Sequence, residues 1–374
     1  MDRRREENRF RELVPVSGAS SRTVVELDGR TFLNFCSNDY LGLAHHPEVI
    51  ERSLDYTRRF GAGSSASRLV SGSLEIHHRL EEKIAKLYGS ESALLFGSGF
   101  QANLTILPAL TGRNDVILAD KRCHNSLIQG GLLGRATFRR FRHNDMEHLE
   151  ELLIQAKREN RGTVWIVSET LFSMDGDEAP VGDLIRLRDS YHALLYLDDA
   201  HAFGVLGPEG LGMAARREGV DLLIGTLGKA GGAYGAFVVC GKLIRDMLVN
   251  YCSGFIYTTA PPPGVVGAAD AAFELIPGME RERERLRSNS LGLRTRLRSA
   301  GFDCGAGESH IIPLMAGSDE EALELSRSLY QRGFFLQAIR PPTVETSRLR
   351  MTLSAEHSEQ ELNSLIKALI DDST

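Results

Sequence analysis

A doubly wound α/β fold with a mostly parallel sheet, followed by a smaller α+β domain, is what this sequence predicts. Between about residues 45 and 260, short apolar runs alternate with amphipathic stretches, and strand–helix alternation of that kind builds a parallel sheet with helices on its faces. The rhythm breaks at "TTAPPPG" (258–264), after which a long charged stretch and a new set of short runs begin. A chain of 374 residues is long enough for two domains whose cores need no staples. The expected division is an N-terminal arm and hairpin over 1–44, a large domain over 45–262 and a small C-terminal domain over 263–374.

In chain order, "TVVELDG" and "RTFLNF" are two alternating runs meeting at Asp28-Gly29, a hairpin signal. The runs "SALLFGSG", "DVILAD", "TVWIVSE", "ALLYLDD", "DLLIGTLG" and "GAFVVCG" read as buried strands. Between them, "EIHHRLEEKIAKLYG" and "DMEHLEELLIQAKREN" carry helical spacing, with acids early and bases late as the helix dipole favours. "MERERERLRSNSLGLRTRLRS" reads as a long helix whose mixed charges form a solvated face. "HIIPLMAG", "GFFLQAIRPP", "RLRMTLS" and a helix from about Ser358 complete the small domain.

Composition narrows the function classes. A net charge of −6 gives no general reason to bind nucleic acid or an anionic membrane. The start, "MDRRREENRF", lacks the apolar core of a secretory signal and carries acids that a transit peptide avoids, and no apolar run approaches a membrane span. Five scattered cysteines without a CxxC pair read as free thiols in a reducing compartment, and no metal site is expected. The expectation is a soluble cytoplasmic protein.

The chemistry begins at "TLGKAGGAYGAFVV" (226–239), where Lys229 stands alone among glycines. Such a lysine holds a phosphate or forms a covalent bond. A phosphate-binding P-loop needs a hydroxyl after the lysine and a glycine five before Gly228, whereas Ala230 and Leu223 occupy those positions. A covalently held aldehyde cofactor needs a group to keep its ring nitrogen protonated, a grip on its phosphate and a face for its ring. In "YLDDAHAFG" (196–204), Asp198 ends an apolar strand at the edge where open α/β sheets bind ligands, and strand alternation sets Ala200 on the same face. Read alone, Asp198-Asp199 could equally cap the next helix. The glycine-bracketed lysine 28 positions beyond His201 favours the cofactor, with the glycines admitting it closely.

Eight ordered motifs carry a resemblance: "NFCSNDYLGL", "SRLVSG", "LLFGSGFQAN", "SETLFSMDGDEAP", "DDAHAFGVLGPEGLG", "TLGKAGGAYG", "IYTTAPPP" and "IRPPTVETSRLRMTLSAEH". From about Phe10 to the C-terminus the chain resembles the α-oxoamine synthase family of pyridoxal 5'-phosphate (PLP) enzymes. That resemblance implies the fold-type I, aspartate-aminotransferase-like architecture with a seven-stranded sheet. It implies that Lys229 carries PLP as a Schiff base, Asp198 meets the pyridinium nitrogen, His201 the phenolic oxygen, and His124 stacks on the ring with Ala200 opposite. Glu169 and Ser173 match positions near the phenolic oxygen. The phosphate falls to the backbone amides of Gly99 and Phe100 and the hydroxyl of Thr226, with a hydroxyl from Thr258 or Thr259, Thr259 preferred, crossing from a neighbouring subunit of a homodimer. Arg350 matches the arginine that takes the amino-acid carboxylate, and Arg348 is expected at the surface. Arg11, Arg340 and Thr343 match substrate contacts, while Asn38 and Tyr40 line the entry.

Within the family, "IRPPTV", "DDAHAFGVLG" and "SRLVSG" favour the branch that joins L-alanine to a pimeloyl thioester in biotin synthesis, the acyl group arriving on CoA or acyl carrier protein. The branches that make 5-aminolevulinate, 2-amino-3-oxobutyrate or sphingoid bases are the alternatives, together with PLP enzymes of another reaction. Gly231, "SSAS" at 64–67 and the short "TVETSRLR" depart from the commoner pattern, which bears on acyl-chain and carrier preference.

Overall fold

The computed structural model describes residue 4 and residues 10–21, 23–159 and 162–372, so most of the basic start lies outside the described residues. These residues form two compact units. One comprises Leu43–Phe172 and Glu178–Glu280, the other Met1–Gly42, Ser173–Asp177 and Arg281–Thr374.

The second unit opens with strand β1 (Gly18–Ser21) and the hairpin of β2 (Val24–Leu27) and β3 (Arg30–Asn34). Asp28 and Gly29 both take positive φ, 49° and 73°, the two-residue turn whose twist suits antiparallel strands.

The first unit is built on seven strands: β4 (Ser92–Phe96), β5 (Val116–Asp120), β6 (Thr137–Phe141), β7 (Val164–Glu169), β8 (Leu194–Asp198), β9 (Leu222–Thr226) and β10 (Ala236–Cys240). Their order is β4-β10-β9-β8-β7-β5-β6. The pairs β8–β9, β7–β8, β5–β7 and β5–β6 are parallel, while β10 runs antiparallel to both its neighbours. Six of these strands are the apolar runs read from sequence. The seventh, β6, is "TFRRF", an edge strand with one buried position, which is why apolar content does not reveal it. This is the fold-type I sheet.

Two helices carry polar residues into the interior of this unit. Ser98 caps Gly99–Leu110, its side chain accepting from the Gln101 amide at 3.1 Å. The helix Asn125–Leu133 packs against it, and the approach is close: a Cβ on Gly130 would sit 2.1 Å from the Asn103 carbonyl oxygen. Glycine is therefore required there, and it brings Ser126 to the same depth as Asn103. The core beneath is the expected apolar cluster, including Ile106, Leu127, Trp165, Val167, Tyr196 and Ile224.

In the other unit β11 (Ile311–Met315), β12 (Phe334–Phe335), β13 (Ala338–Ile339) and β14 (Arg348–Thr352) follow the helix Glu280–Ser299. β12 joins the hairpin sheet beside β3, and β11-β14-β13 form an antiparallel sheet. The long helix departs from its expected solvated character. Arg283 and Arg294 are buried, and Arg294 donates to the carbonyls of Cys304 at 2.8 Å and Ile311 at 2.5 Å. Burial is tolerated because carbonyl acceptors satisfy the guanidinium. The five cysteines are free, and no described helix is long and apolar enough to cross a membrane.

Candidate active site

The carboxyl ends of the parallel strands carry the site residues of the larger unit: Glu169 closes β7, Asp198 closes β8 and Thr226 closes β9. Glu169 and Asp198 are register partners, so two carboxylates stand side by side. Asp198 is buried, and its oxygens are separately satisfied: Oδ2 accepts from Asn103 Nδ2 at 2.7 Å and Oδ1 from the Ala200 amide at 2.9 Å. Glu169 carries the cost of the pairing. Burial, and then the neighbouring Asp198 charge, push its carboxyl up to about 8, against the pull of Lys229 and the His124 amide, which donates to Oε1 at 2.5 Å.

Asp199 goes elsewhere. Its carboxylate accepts from Thr170 Oγ1 and from the amides of Met213 at 3.2 Å and Ala214 at 3.0 Å, and burial raises it to about 6. It fastens the segment after β8 to the loop at 213–214. The strand ends at Asp198, so Ala200 is not placed by strand alternation. An Asx turn, Asp198 Oδ1 to Ala200 N, sets their relation instead. Turns and not a helix come next, which removes the capping alternative; His201 is buried in the first of them.

Lys229 lies in the connection between β9 and β10, closed by Leu227 N to Gly235 O and Gly232 N to Lys229 O, each 2.9 Å. The glycines around it serve the chain's own packing. A Cβ on Gly232, at φ 60°, would meet the Ala44 nitrogen at 2.3 Å, and one on Gly231 the Leu227 carbonyl at 2.9 Å. Gly231 and Gly232 are therefore required by the chain's own packing. Gly228 is the open position, with nothing nearer than 3.8 Å to its added Cβ.

His124 caps the helix Asn125–Leu133, with Nδ1 2.6 Å from Ser126 Oγ. Desolvation lowers its pKa, Asp198 pulls it back up, and Lys229 lowers it again. Gly99 and Phe100 start the helix behind the Ser98 cap. Their amides have no acceptor within the helix, and a Cβ on Gly99 would lie 3.8 Å from Thr226 Cβ. Thr226 Oγ1 itself donates to the Gly235 carbonyl at 3.1 Å. Thr258 and Thr259 lie on a segment tied to residues 64–67 by the Ser67–Thr259 bridge and by Ala260 N to Ala66 O at 3.0 Å.

The remaining expected residues belong to the other unit. Arg350, on β14, donates from Nε to the Ser173 carbonyl at 2.6 Å, while both its Nη atoms lie 3.3 Å from Asn38 Oδ1. Tyr40 Oη donates to that same oxygen at 3.1 Å, and burial holds the phenol up at about 12. One amide oxygen for two Nη groups leaves the outer edge of the fork with donor capacity for a carboxylate. Arg11 donates to Thr343 Oγ1 at 2.8 Å, and Thr343 N to Arg340 O at 3.0 Å, so these three also form one group. Arg348 is not at the surface: it is buried, 2.5 Å from Asp175 Oδ1.

Comparison with known proteins decides the family. The family model described as aminotransferase class I and II matches residues 30–369. The chain belongs to the class I and II aminotransferases. Within that family it stands with the α-oxoamine synthases. It is 46% identical to the 8-amino-7-oxononanoate synthase of Gluconacetobacter diazotrophicus, over 93% of this chain and 89% of that one. It is 44% identical to the enzyme of the same name from Geobacter sulfurreducens, over 98% and 94%. A solved structure of SPT with PLP as internal aldimine shares 28% identity at a TM-score of 0.92, covering 96% of this chain and 92% of that one.

Members of this family of synthases depend on PLP, and the residues present fit it. A lysine stands in the field of the buried Glu169, whose register partner Asp198 accepts two hydrogen bonds, and a helix N-terminus with a glycine at its first position adjoins a threonine hydroxyl. Sequence reasoning missed Asn103, Ser126 and Tyr196, which stand behind Asp198. Their one signal is a polar residue on the apolar helix "GFQANLTILPAL".

Proposed function

We propose that this protein condenses L-alanine with a pimeloyl thioester to give 8-amino-7-oxononanoate, CO2 and free thiol, a step of biotin synthesis. The observation that carries the reading is the electrostatic grouping of Lys229, Asp198, Glu169 and His124 at the carboxyl edge of the sheet. It stands in a chain 44% identical to an oxononanoate synthase across 98% of its length.

In this reading Lys229 holds PLP through Nζ, Asp198 keeps its ring nitrogen protonated, and Gly99, Phe100 and Thr226 bind its phosphate. His201, Ser173 and Glu169 attend its phenolic oxygen, with His124 and Ala200 against the ring. When bound, PLP supplies an electron sink that makes the α-proton of an amino acid acidic. Once the incoming amino group has displaced it, Lys229 Nζ is a free amine that would remove that proton and later return one to the product. The Asp198 carboxylate is fit to hold a proton opposite itself because its own oxygens already accept two bonds. His124 donates to the oxygen that gains charge as the thioester carbonyl is attacked. Arg350 takes the amino-acid carboxylate, and Arg11, Arg340 and Thr343 contact the acyl substrate. The chain works as a cytoplasmic homodimer in which Thr259, or Thr258, reaches the neighbouring subunit's phosphate, and the acyl group arrives on CoA or acyl carrier protein.

The test is thiol release from pimeloyl-CoA by the PLP-loaded protein, with L-alanine, glycine or L-serine in parallel. Release with alanine above the others is expected, and Lys229→Ala should abolish it, a loss on the order of a thousandfold or more. Release that tracks serine or glycine instead overturns the substrate assignment.

A further inference from the structure

Behind Asp198 the hydrogen bonds run in one direction. The Tyr196 hydroxyl donates to Asn103 Oδ1, and the Asn103 amide uses its two hydrogens on Asp198 Oδ2 at 2.7 Å and Ser126 Oγ at 3.0 Å. The amide cannot be turned over, because its oxygen would then face a carboxylate oxygen that accepts at the same contact. Ser126 Oγ, already accepting, has its own proton to give, and His124 Nδ1 lies 2.6 Å away. The Ser126 backbone amide, which can only donate, points at the same nitrogen at 3.2 Å. Two donors converge on Nδ1, so Nδ1 holds the lone pair and the ring proton is on Nε2.

We infer that Asn103, Ser126 and Tyr196 are positioning residues that lock His124 as its Nε2–H tautomer and make that tautomer depend on the Asp198 carboxylate. This rests on the reading of His124 as the donor to the reacting thioester. All three residues are at most 2% exposed, so each unmade bond in the chain is costly and the chain forms as a unit. The helices that carry Asn103 and Ser126 are held at fixed separation by the Gly130 contact. The consequence is an electrostatic division of labour. Asp198 orients an amide, the amide orients a hydroxyl, and the hydroxyl leaves His124 with a donor on the nitrogen away from the network. Around the imidazole, Asp198 from β8 favours its cation and Lys229 from the β9–β10 connection opposes it, while Glu169 from β7 takes the backbone amide. Protonating Nδ1 would set a third donor against Ser126, so the network holds the ring neutral.

The experiment is 15N NMR of histidine-labelled protein, cofactor-free and PLP-loaded, with the His124 signals assigned by their loss in His124→Gln. Wild type should show the Nε2–H tautomer. Ser126→Ala should relax that preference and raise the titration midpoint by about one pH unit. In the loaded enzyme it should lower kcat about tenfold with KM for L-alanine nearly unchanged. Tyr196→Phe, which removes one hydroxyl and little volume, should shift the midpoint the same way by less, and it carries the test if Ser126→Ala does not fold. A wild-type Nδ1–H tautomer, or variants that titrate as wild type does, overturns the inference. If the tautomer and its shift appear but no thioester turns over, the network stands and the proposed reaction falls.

Discussion

At the end of β8, Asp198 and Asp199 are adjacent carboxylates; on β14 of the other unit, Arg348 and Arg350 are cations two positions apart. In each pair one member is consumed by the fold. Asp199 is tied to Thr170, Met213 and Ala214, and Arg348 is buried against Asp175. The other member is held by fewer partners, an amide and a turn N–H for Asp198, a carbonyl and one amide oxygen for Arg350. The difference teaches that type and spacing place a charge near a site, whereas the acceptors and donors already spent on it decide whether it can serve a ligand.

That contrast breaks most visibly at the aspartates. Asp198→Asn should keep the fold and lower thiol release by roughly a hundredfold or more, because an amide no longer favours a proton opposite it. Asp199→Asn should instead lower unfolding free energy by about 1–3 kcal/mol, measured by urea titration, while the cofactor spectrum of the surviving native protein is retained. Equal losses of activity at equal stability would erase the distinction.

At the arginines the same split is expected on a smaller scale. Arg350→Lys should raise KM for L-alanine about tenfold or more, since a point charge replaces a planar fork. Arg348→Met should leave KM near wild type and cost about 1–3 kcal/mol of stability, because the bond between its guanidinium and Asp175 is lost. An unchanged KM in Arg350→Lys would remove Arg350 from the amino-acid site.

The smallest effect is a pH slope. Glu169 and Asp199 are raised in the folded protein, to about 8 and about 6, from ordinary values of 4.5 and 3.8. The folded state therefore binds protons that the unfolded state has released between those values. Their contribution to stability is full below about pH 4 and is lost as pH rises towards 8. Cofactor-free Glu169→Gln should flatten that fall in urea midpoint between pH 5.5 and 8.5, and a slope identical to wild type would contradict the ionisation described for Glu169.

Much of this was legible in the chain because burial on both faces of a parallel strand writes a continuous apolar run, and because a lone lysine among glycines suits few roles besides gripping a phosphate or a covalent cofactor. The edge strand Thr137–Phe141 was illegible for the opposite reason, since only one of its five positions is buried and no apolar pattern is demanded. Arg294 and Arg348 were misjudged because groups that make their burial tolerable, the Cys304 and Ile311 carbonyls and the Asp175 carboxylate, lie 10, 17 and 173 positions away. The Asn103–Ser126–Tyr196 network depends on partners separated by 23 and 93 positions, and no local pattern announces that. The substrate residues fall between these cases: Arg350, Asn38 and Tyr40 do converge, on Asn38 Oδ1.

The reversed strand β10 has a consequence for how this architecture diversifies. Because β10 lies beside β9, pairing Ala236 with Thr226, the lysine-bearing segment is a reversal of fixed length, clamped at both ends. Crossover loops elsewhere in the sheet can lengthen without disturbing the strands they join. A single inserted residue between Thr226 and Ala236 would either slide β10 against both neighbours, turning its side chains to the opposite face, or swing Lys229 away from Asp198. New chemistries on this scaffold have to be written into the loops and the other unit, around a lysine whose position the sheet does not allow to drift.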